Sequence, residues 1–286
     1  VLSIVVPSLI NTIQIYKLKL SIKFNSDSEI YSHIKEFYIK IENGPQELIC
    51  LNINKKNMLI SLDIPSSIKV IRSEAFKHIN FKTITFGKES CAIIENSAFA
   101  NCCFYEKVNY PETNLFLGDY AFSTANFKKG LHISEQCKLS QIGFKSFYGA
   151  NIKSKYLNLP KTIKTIGRGA FSNVSGVSHF TIPPGAIIES IDADAFTCSD
   201  FSSITINSIN DIKFGQGCFN TCISLKTFDI KNTKTTILPR KCFDDCLLLD
   251  NVFLPNTLTD IKEYCFRSCS LENIVMPIYI TDVKNN

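Results

Sequence analysis

Large apolar residues recur along the chain in short alternating runs, with one residue between the two members of each pair. Successive side chains of an extended strand point to opposite faces, so this spacing puts both apolar side chains on one face of a β-strand. Proline follows several of the pairs and ends the strand, because it cannot donate to a sheet ladder. The predicted strands contain Leu62/Ile64, Ile84/Phe86, Val108/Tyr110, Leu131/Ile133, Leu157/Leu159, Phe180/Ile182, Ile204/Ile206, Phe228/Ile230, Val252/Leu254 and Ile274/Met276.

A phenylalanine recurs every 23 to 25 residues between these strands. A small residue precedes it directly, and a large apolar residue lies five positions before it. We expect the rings to point inward and pile up as an internal spine, and the small residue to mark a close approach of neighbouring backbones. Because one such unit cannot bury enough apolar surface alone, the units must stack. The column is Phe76, Phe99, Phe122, Phe147, Phe171, Phe196, Phe219, Phe243 and Phe266.

The repeat predicts a β-rich solenoid, with a parallel sheet on one face and short turns or helical segments on the other. The array spans 60–286, with about nine repeats and a truncated C-terminal one. Residues 1–59 are less regular and form either degenerate repeats or an insertion. Within them, 38–41 and 48–53 are strand-like and 28–37 is a candidate short helix. The chain begins and stops inside a repeat-like run, which suggests a piece of a longer protein.

The repeat resembles the BspA-like class of leucine-rich repeats. The segment Leu159–Phe171 carries the Pro, Ile, Gly and Ala-Phe positions of that unit, and a cysteine three residues after phenylalanine appears as Cys102, Cys222, Cys246 and Cys269. The resemblance covers residues 60–283. Ser146, Cys218, Cys242 and Cys265 depart from the usual alanine but stay small. The resemblance implies a leucine-rich repeat fold and a surface or secreted protein that adheres to host proteins, cells or other microbes.

Composition and charge indicate a globular chain, with 45% hydrophobic residues, 20% charged residues and a net charge of +5. Lysines alternate with acidic residues along the whole chain, which is typical of a solvated surface. The richest basic stretch, 17–23, alternates with apolar residues and predicts a strand. No apolar run reaches about 18 residues, the length of a membrane-spanning helix. We therefore expect no nucleic-acid partner, and membrane contact only through segments outside this chain.

The sequence contains 12 cysteines, and seven of them occupy the two repeat columns before and after phenylalanine. Free cysteine behaves as a small buried hydrophobe, so core packing is the favoured interpretation. Some disulfides or a metal site remain open alternatives. Five cysteines lie outside the columns, and of these a disulfide would most readily involve Cys50, Cys91, Cys137 and Cys198 rather than Cys103, which adjoins the column member Cys102.

Catalytic signatures are missing from the sequence, which has no GxSxG, HExxH or phosphate-loop motif. His132 and His179 fall two repeats apart, which predicts a separation of roughly 10 Å, too far to share a metal. The acidic pairs 192/194 and 244/245 lie in predicted turns and have no evident partner. We therefore expect no enzymatic activity, no cofactor and no bound metal.

The candidate binding surface is the set of residues between the two buried positions of each strand. Stacking of the repeats predicts a continuous exposed column of these residues, on the face that solenoids commonly use for binding. We expect a recognition or adhesion module for protein or glycan partners at a cell surface, or secreted. The alternative is a cytoplasmic scaffold for protein–protein interaction. The column is Thr85, Asn109, His132, Asn158, Thr181, Thr205, Asp229 and Phe253, and it continues to Val275.

Overall fold

The computed structural model is a parallel β-solenoid, in which each sequence repeat makes one turn of the coil. It describes residues 19–24, 35–42, 47–48, 58–88, 90–110, 112 and 114–284. The predicted solenoid of leucine-rich type is confirmed. Leu157 and Leu159, a representative strand pair, are both buried at the centre of the coil.

The larger sheet has 12 strands, whose order follows the chain. All neighbours are parallel except the first two strands, which are antiparallel. The strands are β1 (Lys19–Phe24), β2 (Lys35–Glu42), β4 (Met58–Ile64), β6 (Asn80–Phe86), β8 (Cys103–Phe104), β11 (Asn126–Phe127), β14 (Asn151–Asn158), β16 (Ser175–Ile182), β18 (Ser203–Ile206), β20 (Thr227–Asp229), β22 (Asn251–Phe253) and β24 (Asn273–Ile274).

A second parallel sheet of 8 strands covers another side of the coil. Its strands are β3 (Glu47–Leu48), β5 (Val70–Ile71), β7 (Ile93–Ile94), β10 (Asn114–Leu117), β13 (Lys138–Ile142), β15 (Thr165–Ile166), β17 (Ser190–Ile191) and β19 (Lys213–Phe214). Two small parallel sheets complete the coil: β9 (Val108–Asn109) with β12 (Leu131–His132), and β21 (Ile237–Leu238), β23 (Asp260–Ile261) and β25 (Asp282–Val283).

The N-terminal strands extend the larger sheet. The predicted strand at 38–41 lies within β2, and the basic stretch is confirmed as a strand over Lys19–Phe24. The candidate helix at 28–37 is wrong at residues 35–37, which belong to β2, and its other residues lie outside the described ranges. Of the strand-like segment 48–53, only residue 48 is described, at the end of β3.

The recurring phenylalanines form the predicted internal spine. Phe147 and Phe171 stack with ring centroids 5.3 Å apart and planes within 4° of parallel. Phe171 also stacks on Phe196 at 5.2 Å, and Phe180 of β16 meets its ring edge-on at 5.6 Å. Neighbouring rings of the column stack in this way from Phe76 to Phe266. The spine therefore couples each turn of the coil to the next through aromatic contact.

The segments that carry these phenylalanines are turns, and the prediction of helical segments is wrong: the described residues contain no helix. The residue two positions before each phenylalanine of the column and the residue two positions after it have φ between 49° and 65°. A left-handed residue at every fourth position stops a right-handed helix from forming. Only Gly149, Gly169 and Gly217 among these positions are glycine, the residue that adopts this conformation without steric cost.

The alternating backbone directs every second amide of the turn along the axis of the coil. The amides of Gly169, Phe171 and Asn173 donate to carbonyls of the next turn at 3.1, 2.7 and 2.9 Å. The amides between them close short bonds within their own turn, as Ala170 does to the carbonyl of Gly167 at 3.1 Å. The same three bonds between turns occur at every phenylalanine from Phe76 to Phe243. The turns thus form a hydrogen-bonded ladder of their own.

The small residue before phenylalanine lies at a hydrogen-bonded contact between neighbouring turns. Phe171 donates its amide to the carbonyl of Ala195, the small residue of the next turn, at 2.7 Å. Both Ala170 and Ala195 are fully buried. In the C-terminal turns cysteine takes this place, and the sulfurs of Cys218 and Cys242 lie 3.6 Å apart.

The cysteines of the second column satisfy a backbone acceptor in the core. The Cys222 thiol donates to the carbonyl of Phe196 at 3.0 Å, and the Cys246 thiol donates to that of Phe219 at 3.0 Å. Cys91 and Cys137, which follow neither column, are also buried. Among the eleven cysteines that the structure describes, none is bonded to another. Core packing is the role that these positions support.

Removing a ring of the spine is expected to destabilise the fold strongly. Phe171→Ala deletes a fully buried ring with stacked neighbours on both sides, so we predict a loss of about 3 to 5 kcal/mol in unfolding free energy. The matched control is Phe253→Ala, because the Phe253 ring is 43% exposed, and its loss should be less than half as large. Denaturant unfolding measures both. A loss under about 1 kcal/mol for Phe171→Ala would mean that the column is not core.

The turn ladder predicts slow hydrogen exchange in segments that lack regular secondary structure. The amides of Gly169, Phe171 and Asn173 should exchange within about tenfold of the Phe180 amide in β16, because all are held by bonds between stacked turns. Native-state exchange followed by NMR measures this. Exchange of the turn amides at the rate of an open loop would contradict the ladder.

Thiol reactivity should separate the core cysteines from the surface. Burial raises the pKa of the Cys91 and Cys102 thiols to about 12, so few thiolates form there at neutral pH. Cys198 is exposed. We predict that iodoacetamide at about pH 8 labels Cys198 on the native protein, and labels Cys91 and Cys102 only after denaturation. Peptide mass spectrometry reads the sites, and equal labelling rates in the native state would refute this packing.

Candidate functional site

The predicted binding column lies on the outer side of the coil, but strand pairing divides it into three groups. Thr85 of β6 pairs with Asp63 and donates its hydroxyl to that carboxylate. Asn109 pairs with His132 in the separate two-stranded sheet. The remaining five residues are in direct register across five consecutive strands of the larger sheet: Asn158, Thr181, Thr205, Asp229 and Phe253.

Exposure varies along this column. Asn109, His132 and Asn158 are exposed, whereas Thr181 and Thr205 are half-buried between neighbouring strands. Thr181 and Thr205 each carry a short hydroxyl side chain, which the side chains in register on the neighbouring strands partly cover. From Asn158 to Thr205 the column therefore offers polar side chains spaced by the strand separation of about 4.8 Å.

The column becomes charged and then apolar towards the C-terminal turns. Asp229 forms an ion pair with Lys231 at 3.0 Å, and the Lys231 ammonium lies 5.2 Å from the centre of the Phe253 ring. Beyond Phe253, Val275 and Ile278 are each 83% exposed. The apolar end of the column predicted from the sequence is thus exposed at its surface.

A second outward column runs beside the first, two residues earlier in each strand. Tyr156 pairs with His179, and His179 pairs with Ser203. The Tyr156 and His179 rings stack with centroids 5.0 Å apart and planes 24° apart. His179 Nδ1 and the Ser203 hydroxyl share a hydrogen bond of 2.7 Å. This cluster does not follow from the sequence alone, because it depends on the register of β14, β16 and β18.

His132 and His179, the two histidines of the predicted strands, lie in different sheets. His132 lies in the two-stranded sheet and His179 in the larger one, where its contacts are Tyr156 and Ser203. Within the described ranges, no group of three or more histidine, cysteine or acidic side chains is placed to hold a metal ion. In the same part of the chain, no helix has the length and hydropathy to cross a membrane.

Asp194, Asp244 and Asp245 in the turns do have partners, which corrects the expectation from the sequence. Arg267 holds the buried Asp244 carboxylate through two hydrogen bonds, of 2.6 and 2.8 Å, and approaches Asp245 at 3.7 Å. Hydrogen bonding and the charge of Asp244 raise the pKa of Arg267. Arg168 pairs with Asp194 at 3.2 Å. Each pair bridges neighbouring turns, so these acids contribute to stacking.

The second sheet carries a different kind of surface. A shallow groove of about 470 Å³ lies along its outer side, next to β15, β17 and β19. Its charged residues are Glu189, Asp211 and Lys213. Charged side chains therefore line this groove, whereas Asn158, Thr181 and Thr205 of the larger sheet form an uncharged row.

Comparison with known protein families supports the assignment of the repeat. Residues 53–155, 140–240 and 177–286 match the model of the BspA type leucine rich repeat region, in six copies. No curated protein matches the chain.

Solved structures of leucine-rich repeat proteins also resemble this chain. One is from Bacteroides ovatus, with 19% identity, a TM-score of 0.45, and coverage of 93% of this chain and 90% of that one. The pneumococcal vaccine antigen PcpA has 19% identity and a TM-score of 0.45 over 92% of this chain and 75% of its own. A leucine-rich cell surface protein of Faecalibacterium prausnitzii has 19% identity and a TM-score of 0.35, with coverage of 95% and 90%.

Proposed function

The chain belongs to the BspA-type leucine-rich repeat family, and on that premise we propose that it is a non-catalytic recognition module. It binds protein or glycan partners through the outer face of the larger sheet and of the two-stranded sheet beside it, at a cell surface or as a secreted protein. The observation that carries this proposal is the row of outward side chains held in register from Asn158 to Phe253. Because strand pairing fixes the positions of these side chains, little conformational entropy is lost when a partner binds to them.

The architecture supports binding more than catalysis. Recognition needs a large surface with defined spacing, whereas an enzyme needs converging polar groups around a cleft. Asn158, Thr181 and Thr205 supply amide and hydroxyl groups that both donate and accept hydrogen bonds. These three side chains lie side by side on neighbouring strands of one sheet. Such a row can contact an extended partner, but it does not enclose a small substrate.

A cytoplasmic scaffold for protein–protein interaction is the second candidate. The packing of the cysteines favours it, since Cys218 and Cys242 lie in contact as free thiols in the core. Free thiols are typical of reducing compartments. Surface biotinylation of intact cells distinguishes the two: labelling supports the surface module, and labelling only after lysis supports the scaffold.

Alanine variants of the column test the binding face. We predict that His132→Ala and Asn158→Ala change the unfolding free energy by about 0.5 kcal/mol or less, because both side chains are exposed. Each should weaken binding about fivefold or more, as expected for loss of a contact worth about 1 kcal/mol. Biolayer interferometry against immobilised matrix proteins and polysaccharides measures the affinity.

The matched control for these variants is Ser190→Ala, which alters a residue of β17 on the other sheet. It should leave binding unchanged. If His132→Ala and Asn158→Ala bind like the parent while Ser190→Ala weakens binding, the binding face is on the second sheet.

A further inference from the structure

We propose that the larger sheet carries a binding site for an uncharged glycan, centred on Tyr156, His179 and Ser203. This inference rests on the proposed recognition function and narrows its partner to one chemical class. The site combines an exposed aromatic ring, a second ring that holds it, and a polar row in register beside it. We call the cluster of Tyr156, His179 and Ser203 the ring site.

The ring site is pre-arranged. Tyr156 is 51% exposed, although it lies in the middle of the chain and far from either end of the sheet. His179 stacks against it at 5.0 Å, and the hydrogen bond between His179 Nδ1 and the Ser203 hydroxyl fixes the imidazole. The Tyr156 ring is thus supported from the next strand while half of its surface remains open to solvent. An exposed, supported ring is a low-entropy contact surface.

A sugar ring matches this surface chemically. The C–H groups on one side of a pyranose carry small positive charges, which the negative face of an aromatic ring attracts. Its hydroxyls both donate and accept hydrogen bonds, as do the amide of Asn158 and the hydroxyls of Thr181 and Thr205. These three groups follow Tyr156, His179 and Ser203 by two residues in the same strands, on the same outer face.

The charges around the ring site favour one class of partner over another. The ring site and the three polar residues beside it carry no acidic or lysine side chain, and the next strand carries Asp229 already paired with Lys231 at 3.0 Å. One cation does reach the ring site, because the Lys155 ammonium lies over the Tyr156 ring, 5.2 Å from its centre. A single lysine offers little counter-charge for a polyanion such as heparin, which clusters of basic side chains bind. A neutral, hydroxyl-rich ligand needs no counter-charge there.

The test uses affinity gel electrophoresis of the whole chain in gels that contain mannan, laminarin, xylan or heparin. We expect retardation by at least one of the three neutral polysaccharides and not by heparin. Tyr156→Ala should weaken that retardation about tenfold, as for an aromatic hot spot, while Tyr156→Phe keeps the ring and should bind like the parent. Tyr105→Ala is the control, since Tyr105 is similarly exposed elsewhere on the coil.

The outcomes distinguish this inference from the broader function. Binding to matrix proteins that depends on Asn158, with no retardation by any neutral polysaccharide, overturns the glycan site and leaves the recognition function standing. Retardation by heparin alone, lost in Lys155→Ala, overturns the uncharged class. Neutral glycan binding unaffected by Tyr156→Ala overturns the location. Failure to bind any protein or glycan contradicts the recognition function itself.

Discussion

The structure depends on the alternation of backbone conformation in the turns that carry the phenylalanines. Left-handed residues on both sides of each phenylalanine direct its amide along the axis of the coil, as Phe171 shows with its bond to Ala195. The same geometry sets neighbouring rings in stacking contact. Each left-handed non-glycine residue costs roughly 1 kcal/mol or more, and the hydrogen bonds and ring contacts between turns offset this cost. A turn is therefore stable only when another turn lies against it.

The sequence predicts the parts of the fold that depend on which residues are apolar. The spine, the paired strand residues and the close approach at Ala170 follow from spacing alone. The turn conformation does not, because left-handed positions such as Lys145 and Thr124 carry ordinary side chains rather than glycine. A short apolar segment without a glycine signal therefore suggests a helix. The sequence also does not predict the ion pair of Asp244, because its partner Arg267 lies one whole turn of the coil away.

The candidate site could likewise be predicted from the sequence only in part. Sequence spacing identifies the outward residues of each strand, and five of them do lie in register on the larger sheet. It does not show that Asn109 and His132 belong to a separate sheet, which depends on where strand pairing breaks. Nor does it reveal the contact of Tyr156 with His179, residues 23 positions apart that meet only through parallel register. Surface chemistry in a solenoid is thus a property of neighbouring turns rather than of one repeat.

Coupling between neighbouring rings tests the central claim most directly. A double-mutant cycle of Phe147→Leu with Phe171→Leu, measured by denaturant unfolding, should give a coupling energy of about 0.5 to 1.5 kcal/mol, because these rings are in contact. A cycle of Phe99→Leu with Phe219→Leu, whose rings are separated by several turns, should be additive within about 0.5 kcal/mol. Equal coupling in both cycles, or none in the first, would contradict a spine built from contacts between adjacent turns.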